Sequence, residues 1–387
     1  MTIAIIVFII LIALIYSLEI SQNTKNDSPL TLSPQSWEFN KKANVISISG
    51  SIIITNNHSR MEVMIPTLDV ITKLLGKNKF GNIKVSTEIL NRNEDLNNRN
   101  DDYWLSCIIK SRQSTYLDIL ITLEDIHNSD QLKGLENLWI EINWINYGPF
   151  GLLNRVNGFV IPMTFPDESS NFTNYGGMNN KLELISIKTH ILGTLDNPIK
   201  TIEKYTSKLL RKGDILTIGE TPLAIMQGRY INPKNIRITT LSKLLCRYFH
   251  PTSSLATACG MQSLINEAGA NRIIISFILG SLFKALKLKG FFYRIAGNQA
   301  RLIDDITGTT APYDKSIVLG PKNVSSFCQK ASKELGVAIA VVDVNDLGRV
   351  KILSSSDNCN ENILKEALVS NPAGNADEQT PIVVVRR

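Results

Sequence analysis

The stretch LIDDITGTTAPYDKSIVLGP, residues 302–321, places two adjacent carboxylates, Asp304 and Asp305, directly before a turn rich in threonine and glycine. A Pro-Tyr-Asp turn and a strand-like run closed by Gly320-Pro321 follow. Carboxylates and hydroxyls on consecutive loops supply the oxygen ligands that Mg²⁺ and Mn²⁺ prefer. The alternative is two solvated aspartates, because Asp, Gly and Pro also form turns for conformational reasons. Motifs farther along the chain favour a metal site.

The composition describes a folded protein, with 43% hydrophobic and 20% charged residues in a chain of 387. This length accommodates two domains. The net charge of +6 is modest and the basic residues are scattered, which argues against a nucleic-acid partner. The five cysteines form no CxxC pair, so a reduced, cytosol-facing protein is the simpler interpretation.

The N-terminus is apolar. Residues 3–18 carry no charge, and with their neighbours up to Ile20 they approach the length of about 20 residues that a bilayer core requires. We predict that residues 1–22 form an uncleaved, single-pass transmembrane anchor. Lysines follow the segment and none precedes it, so the globular part is expected to be cytoplasmic.

Short β-branched runs separated by polar turns dominate residues 44–165, which we interpret as a β-sandwich-like domain. It is expected to lack catalytic residues and to serve a structural or docking role. Polar, Pro-containing stretches at 23–43 and 166–184 are predicted to be linkers.

Residues 185–387 combine helical and strand-like patterns, which predicts an α+β domain. The predicted helices and buried strands are, in order, Asn197–Arg211, Ile215–Ile218, Val324–Leu335, Val337–Val342, Glu361–Val369 and Ile382–Val385. The segment GETPLAIMQGR, residues 219–229, is expected to form a strand and a loop with a Gly-Arg exit.

The run Ile273–Phe283 is apolar over eleven residues, which favours a core helix over a second membrane span. Lys284, Lys287 and Lys289 follow it, so a helix lying on a membrane surface is the alternative.

Two further segments bring polar groups to strand ends. The sequence DVNDLGR places Asp343 and Asp346 after a buried strand, where α/β sheets often bind ligands and metals. The loop NPAGNADEQTP, residues 371–381, carries Asn375, Asp377 and Glu378 just before the last strand. A turn stabilised by Asp and Asn side chains is the alternative for the first segment.

Four segments together resemble the coenzyme F-420:L-glutamate ligase family, and more closely its membrane-anchored cyanobacterial homologues. They are GDILTIGETPLAIMQGR, DDITGTTAPYDKSIVLGP, AVVDVNDLGR and ADEQTPIVVVRR. The resemblance covers about residues 185–387. It implies an α+β homodimer that joins L-glutamate to the side chain of a deazaflavin cofactor. The reaction it implies consumes GTP and requires Mg²⁺ or Mn²⁺.

The resemblance also implies roles for particular residues. Those expected to hold the metal are Asp304, Asp305, Asp343 and Asp346. Those expected to face the nucleotide are Gly219, Thr221, Gly228 and Arg229, and Asn375, Asp377 and Glu378 would contribute to the substrate pocket. The sequence departs from the family pattern at Glu220, Ile225 and Val344, where the family has Ser, Lys and Thr.

Two hypotheses follow. The first is a ligase that activates its acceptor with a purine nucleotide and a divalent metal, which the clustered aspartates and the DEQTP loop favour. The second is a membrane-tethered binding or scaffold protein that retains the fold without the reaction, which the missing lysine and threonine favour.

Overall fold

The computed structural model describes most of the chain: residues 10, 11, 14, 28–77, 79–91, 106–127, 130–167, 171–176, 182–288, 290–305, 311–345, 348–374 and 378–387. The predicted anchor, residues 1–22, therefore lies outside the described residues except at 10, 11 and 14. Among the described residues, no single helix has both the length and the apolar composition to cross a membrane. Two consecutive helices, Ala258–Ala268 and Ala270–Ala285, satisfy both conditions only as a pair, and they bend by 113° at their junction.

The described N-terminal part is built from antiparallel strands: β1 Leu30–Lys41, β2 Val45–Asn56, β3 Val63–Ile65, β4 Leu68–Gly76, β5 Ile83–Asn91, β6 Cys107–Ile109, β7 Ser114–Asp125, β8 Leu135–Gly148 and β9 Gly151–Pro162. One sheet has the order β1-β2-β7-β5. The other has the order β4-β8-β3-β6, with β9 paired to β8. Two such sheets make an all-β, sandwich-like domain, as predicted.

The alternation of buried and exposed residues explains these strands. On β2, buried Ile46 and Ile48 alternate with serines, and Ile52 and Ile54 resume the series after Gly50. Gly50 stands opposite Trp37 of β1, and a Cβ atom at Gly50 would lie 2.1 Å from the indole ring. The large ring therefore requires a glycine as its cross-strand neighbour.

Both stretches predicted to be linkers contain strands. Within 23–43, β1 forms a ladder with β2, and its register shifts between Pro34 and Trp37. The polar composition that suggested a linker is also what an edge strand tolerates, since one side of the strand faces solvent. Within 166–184, Phe172–Gly176 is β10, which pairs with β11, Glu183–Ile187.

The C-terminal part is α+β, as predicted. Its further strands are β12 Ile215–Gly219, β13 Tyr230–Ile231, β14 Ile317–Val318, β15 Ala338–Val344, β16 Val350–Ser355 and β17 Ile382–Arg386. The helices are α1 Pro198–Thr206, α2 Glu220–Met226, α3 Thr240–Leu245, α4 Ala258–Ala268, α5 Ala270–Ala285, α6 Phe291–Ala296, α7 Val324–Leu335 and α8 Glu361–Ala367. A six-stranded sheet has the order β10-β11-β17-β12-β15-β16, in which β12 and β15 are parallel.

Helices cover both faces of this sheet. On one face, Ile202 of α1 and Ala331 of α7 pack with Leu216 of β12 in a fully buried cluster. On the other face, Leu364 of α8 packs with Val383 of β17. The strands β12 and β17 are apolar on both sides, so their sequences are nearly continuous hydrophobic runs. Such runs predict buried strands.

A separate helical cluster follows β13 and precedes β14. Met261 and Leu264 of α4 and Ile273 of α5 are buried at its centre. The apolar run at 273–283 is helical, as predicted, but it is not a core helix, since Ile273 and Ser276 are the only buried residues of this fully described run. The segment 219–229 differs from the prediction, because it continues from β12 into the short helix α2 rather than into a loop.

The chain divides into two compact units. The first comprises Met1–Ile71, Lys84–Glu124 and Ile142–Val156, and the second comprises Thr72–Ile83, Asp125–Glu141 and Asn157–Arg387. The second unit contains the six-stranded sheet and the helical cluster, and all features of the site below belong to it.

A buried ion pair closes the six-stranded sheet. Arg386, at the end of β17, donates from Nε and Nη2 to the two carboxylate oxygens of Asp214 over 3.0 and 2.9 Å. Nη2 also donates to the Leu209 carbonyl over 2.8 Å, and Nη1 donates to Glu183 Oε2 over 3.3 Å. The side chains of Arg386 and Asp214 are only 10% and 2% exposed.

We expect Asp214→Ala to destabilise the second unit by about 3–5 kcal/mol, because removing one partner of a buried pair leaves an uncompensated charge. Urea denaturation followed by far-UV circular dichroism would measure the loss. The control is Glu334→Ala, which removes an exposed helix pair with Lys330 and should cost under about 0.5 kcal/mol. Equal effects of the two substitutions would contradict a structural role for Arg386 and Asp214.

Candidate active site

Two carboxylates meet where the parallel strands β12 and β15 end. The register pairs Ile218 with Val341 and Gly219 with Val342, so the next residues along the two strands are Glu220 and Asp343. Neighbouring parallel strands present their carboxyl ends at the same edge of a sheet, which is where ligands bind in open α/β sheets. The sheet register therefore places Glu220 and Asp343 side by side.

A third carboxylate joins them from a different part of the chain. Asp304 follows the helical cluster and forms an isolated bridge with Val318 of β14, through two backbone hydrogen bonds of 2.8 and 2.9 Å. The Thr221 hydroxyl, in the first turn of α2, donates to Asp304 Oδ2 over 3.4 Å. The bridge fixes the backbone of Asp304, and Thr221 orients its side chain toward Glu220.

The three carboxylates repel one another in a partly desolvated site. Burial raises the pKa of Glu220 to about 9, and the charges of Asp343 and Asp304 add to the effect while Lys351 opposes it. Burial and the charge of Asp343 also raise the pKa of Asp304, against the hydrogen bond from Thr221. Among the residues that the structure describes, Glu220 Oε2 is buried without a hydrogen-bond partner. The site thus requires a proton or a cation to offset its negative charge.

These carboxylates line a cleft with a volume of about 690 Å³. Besides them, Arg301 and Arg349 bring the positive charges among the described lining residues, and Thr217 and Gln379 bring uncharged polar groups. Pockets of roughly 300–1,000 Å³ accommodate drug-sized ligands and cofactors. The volume and the polar lining suit a ligand of nucleotide size.

The segment before β17 forms one wall of the cleft. The Thr380 hydroxyl donates to the Ala373 carbonyl over 2.6 Å, and the Ser186 hydroxyl donates to the Pro372 carbonyl. Gly219 N–H donates to the carbonyl of Pro381 over 3.1 Å, which joins this wall to the start of α2. The wall is therefore fastened to the sheet on both sides.

A buried histidine lies at another edge of the cleft. His190 is 2.6 Å from the Tyr205 hydroxyl through Nδ1 and 2.9 Å from Asp196 Oδ1 through Nε2. Asp196 also accepts the Gly193 N–H. Both ring nitrogens are engaged within the fold, which indicates a positioning role for this histidine.

The predicted site residues separate into four groups, of which the last is Gly228 and Arg229. Gly219, Thr221, Asp304 and Asp343 line the cleft together. Asp305 and Glu378 are described but are not among its lining residues; Glu378 lies beside Gly374, whose added Cβ would be 2.8 Å from its carboxyl carbon. Asp346, Asn375 and Asp377 lie outside the described residues.

Gly228 and Arg229 lie apart from the carboxylates. Arg229 donates to both carboxylate oxygens of Glu267, over 2.9 and 3.1 Å, and to the Gly320 carbonyl over 3.1 Å. It lines a shallow second depression with Gln227 and Lys322. In this arrangement the guanidinium supports the fold, and it does not face the cleft.

Glu220 was not predicted to be a site residue, because in the sequence it stands only as a departure from the family pattern. The residue was hidden because its partner, Asp343, lies 123 positions later in the chain. The available signal was the pair of apolar runs at 215–218 and 337–342, each followed within two residues by an acidic side chain. Recognising those runs as adjacent parallel strands would have placed the two carboxylates together.

The fold and the cleft define the class of this protein: a sandwich-like β-domain followed by an α+β unit with clustered carboxylates. Residues 31–165 match the family model described as "F420-0:gamma-glutamyl ligase, N-terminal Ig-like domain". The match identifies the β-domain as Ig-like and supports the predicted relationship to the γ-glutamyl ligase family, whose members are enzymes. It covers the N-terminal domain alone.

Solved structures similar to the chain include two domains from yeast. The GAE domain of GGA2p from Saccharomyces cerevisiae covers 35% of this chain and 99% of its own, with 13% identity and a TM-score of 0.21. The yeast GGA1 GAE domain covers 33% of this chain and 100% of its own, with 7% identity and a TM-score of 0.19. No curated protein matches the chain in sequence.

The electrostatics of Glu220 predict how stability depends on pH. Its pKa is about 9 in the folded protein against an ordinary 4.5, so the folded state holds a proton that the unfolded chain releases. The resulting stabilisation is complete below 4.5 and is lost as the pH rises through about 9. Glu220→Gln stays neutral throughout, so the variant should lose less stability than the parent over this interval.

Melting curves in metal-free buffer at a series of pH values would test this expectation. The control is Glu203→Gln, which changes an exposed glutamate on α1 and should leave the pH profile of the parent unaltered. Parallel profiles for the parent and Glu220→Gln would show that Glu220 ionises normally.

Proposed function

We propose that this protein is a GTP- and divalent-metal-dependent ligase of the γ-glutamyl ligase type. It would form an amide bond between an amino acid, L-glutamate by resemblance, and a phosphorylated cofactor-like acceptor. The observation that supports this most directly is the convergence of Glu220, Asp304 and Asp343 in a cleft of suitable size. The Ig-like domain match to the ligase family supports the same reaction class.

The residues present fit a divalent cation in their chemistry. Carboxylate oxygens are the ligands that Mg²⁺ and Mn²⁺ prefer, and the buried Oε2 of Glu220 has no hydrogen-bond partner in the described part of the chain. Among the described residues, no three His, Cys, Asp or Glu side chains are placed to bind one metal ion together. Water or phosphate oxygens would therefore complete the coordination shell of the cation. A pair drawn from Asp304, Asp343 and Glu220 would hold the cation.

When bound, such a metal neutralises charge that develops on a transferring phosphoryl group. The chain's own residues supply the remaining functions. Thr221 holds Asp304 in place, and the guanidinium groups of Arg301 and Arg349 offer positive charge to a phosphate or a substrate carboxylate at the cleft. Glu220 would exchange its proton for the cation, because metal ligands bind in the deprotonated form.

A non-catalytic scaffold remains the second candidate. The observation favouring it is that Arg229, which by resemblance would face the nucleotide, pairs with Glu267. Among the described lining residues, no lysine faces the cleft. Such a protein would retain the fold and would bind neither nucleotide nor metal.

Three expectations on assembly accompany this proposal. Residues 3–20 would tether the protein to a membrane, with the globular part in the cytoplasm. The active form would be a homodimer, as the resemblance implies. Nucleic acid is not expected as a substrate or a partner.

Thermal unfolding of the full chain with and without ligands would test the proposal. Mg²⁺ or Mn²⁺ should raise stability according to occupancy, by about 2.7 kcal/mol at one hundred times its Kd. GTP added with the metal should give a further shift. Asp304→Asn, Asp343→Asn and Glu220→Gln should each reduce the metal-dependent gain and, by relieving repulsion, stabilise the metal-free protein.

Asp357→Asn is the control, because Asp357 is exposed and bonds Gln329 away from the cleft. It should respond to metal as the parent does. The absence of any shift with metal and GTP would favour the scaffold. A metal shift that survives all three cleft substitutions would place the metal elsewhere in the chain.

A further inference from the structure

Helix α5, Ala270–Ala285, is apolar on the face that it exposes as well as on the face that it buries. Its inner face carries buried Ile273 and Ser276, followed by Phe277, Gly280 and Phe283 at helical spacing. Its outer face carries Ile275, Ile278 and Leu282, which are 52%, 60% and 58% exposed, and Leu286, just past the helix, is 63% exposed. A helix that is apolar all round is normally buried or in contact with lipid.

The exposed apolar surface continues beyond the helix. Tyr248 is 65% exposed and packs edge-on against Phe277 of α5, with ring centroids 5.2 Å apart. Leu244, one helical turn before Tyr248, is 52% exposed. A contiguous patch of this kind marks an interaction site, because soluble surfaces rarely leave several large apolar side chains exposed together.

Charge indicates which kind of partner covers this surface. From Thr221 to Ile303 the sequence contains eleven Lys and Arg residues and one acidic residue, Glu267. That stretch carries a formal charge of +10 in a chain whose total is +6, so the remaining residues sum to −4. The scattered distribution expected from the whole sequence therefore does not hold within this segment.

Four of these basic side chains are exposed on the same helical cluster as the apolar face. Lys284 and Lys287 are exposed at the C-terminal end of α5, and Arg294 is exposed on α6, with its guanidinium 5.3 Å from the Phe291 ring. Arg247 is exposed next to Tyr248. Apolar side chains flanked by lysine and arginine are the composition of helices that lie in the plane of an anionic membrane surface.

We propose that α5 and the adjoining residues 244–248 form a membrane-docking surface, which inserts its apolar side chains into a bilayer containing anionic phospholipids. Lys284, Lys287 and Arg294 bind the lipid headgroups. The helix lies along the surface, since its sixteen residues extend only about 24 Å, less than the roughly 30 Å of a hydrocarbon core. This surface is separate from the cleft and does not depend on the ligase proposal.

The test uses the full chain with one added tryptophan, Ile278→Trp, and vesicles whose lipids carry bromine on their acyl chains. Bromine quenches tryptophan only within the bilayer, so the quenching in excess of the parent protein reports on position 278 alone. Vesicles of phosphatidylcholine mixed with phosphatidylglycerol should give excess quenching, and vesicles of phosphatidylcholine alone should give markedly less. On the vesicles that contain phosphatidylglycerol, the triple variant Ile278→Trp, Lys284→Glu, Lys287→Glu should show less excess quenching than Ile278→Trp alone.

The matched control is Ile108→Trp, because Ile108 is 59% exposed but lies on β6, in the other unit. It should show no excess quenching. Far-UV spectra and melting temperatures equal to those of the parent would confirm that each variant is folded. Because quenching is read at one residue, insertion of residues 3–20 alone does not reproduce the result.

Several outcomes would overturn the proposal. One is the absence of excess quenching at position 278, and another is equal quenching at position 108. If the tryptophan introduced at position 278 is shielded from iodide increasingly with protein concentration, without vesicles, the face belongs to a contact with a second copy of this chain. Shielding of the same tryptophan by a DNA duplex without vesicles would assign the face to nucleic acid.

Discussion

The position of the C-terminal strand in the middle of the sheet is the constraint on which the second unit depends. β17 hydrogen-bonds to β11 on one side and to β12 on the other, and its residues from Ile382 to Val385 are buried on both faces. The ion pair between Arg386 and Asp214 fixes the register at the end of the strand. Buried pairs of this kind contribute more to specificity than to net stability, because desolvating two charges is costly. A shift of β17 would move Pro381 away from Gly219 and open the wall of the cleft.

The carboxylates stand in contrast to that ion pair. Asp214 is buried with a guanidinium bonded to both its oxygens. Glu220 is partly buried, has two acidic neighbours, and has one oxygen with no hydrogen-bond partner within the described ranges. The same sheet therefore neutralises the charge of one carboxylate, Asp214, and leaves another, Glu220, beside like charges at the carboxyl end of β12. Proteins depart from local consistency mainly where function requires it. The raised pKa values of Glu220 and Asp304 in a cleft agree with a site that receives a ligand.

How far the fold could be predicted depended on whether its determinants were local. The helix Val324–Leu335 was predicted to the residue, and the short β-branched runs of residues 44–165 indicated a β-domain, because these patterns lie within a dozen residues each. The strand β1 was missed because an edge strand tolerates the polar residues and the proline that mark linkers. The cleft was predicted in part: Asp304 and Asp343 were found from their motifs, but Glu220 required the parallel register of β12 and β15. The pairing of Arg229 with Glu267 has no sequence signal, since it depends on how α4 packs.

The separation of charge within the second unit connects the cleft to the helical cluster. The chain enters the helical cluster after Arg229 and leaves it before Leu319, whose N–H donates to the Arg229 carbonyl over 2.8 Å. Up to Ile303 it builds the basic, apolar cluster, whose one acidic side chain, Glu267, forms ion pairs with Arg229 and Lys322. Burial alone would raise the pKa of Glu267, but the hydrogen bonds and charges of Arg229 and Lys322 lower it below its ordinary value. The cluster thus keeps no free carboxylate on its described residues, while Asp304, directly after it, contributes to the acidic cleft. In the second unit, the helical cluster is therefore basic and the cleft at the end of the six-stranded sheet is acidic. An anionic membrane would bind at the helices, and a cation would bind in the cleft.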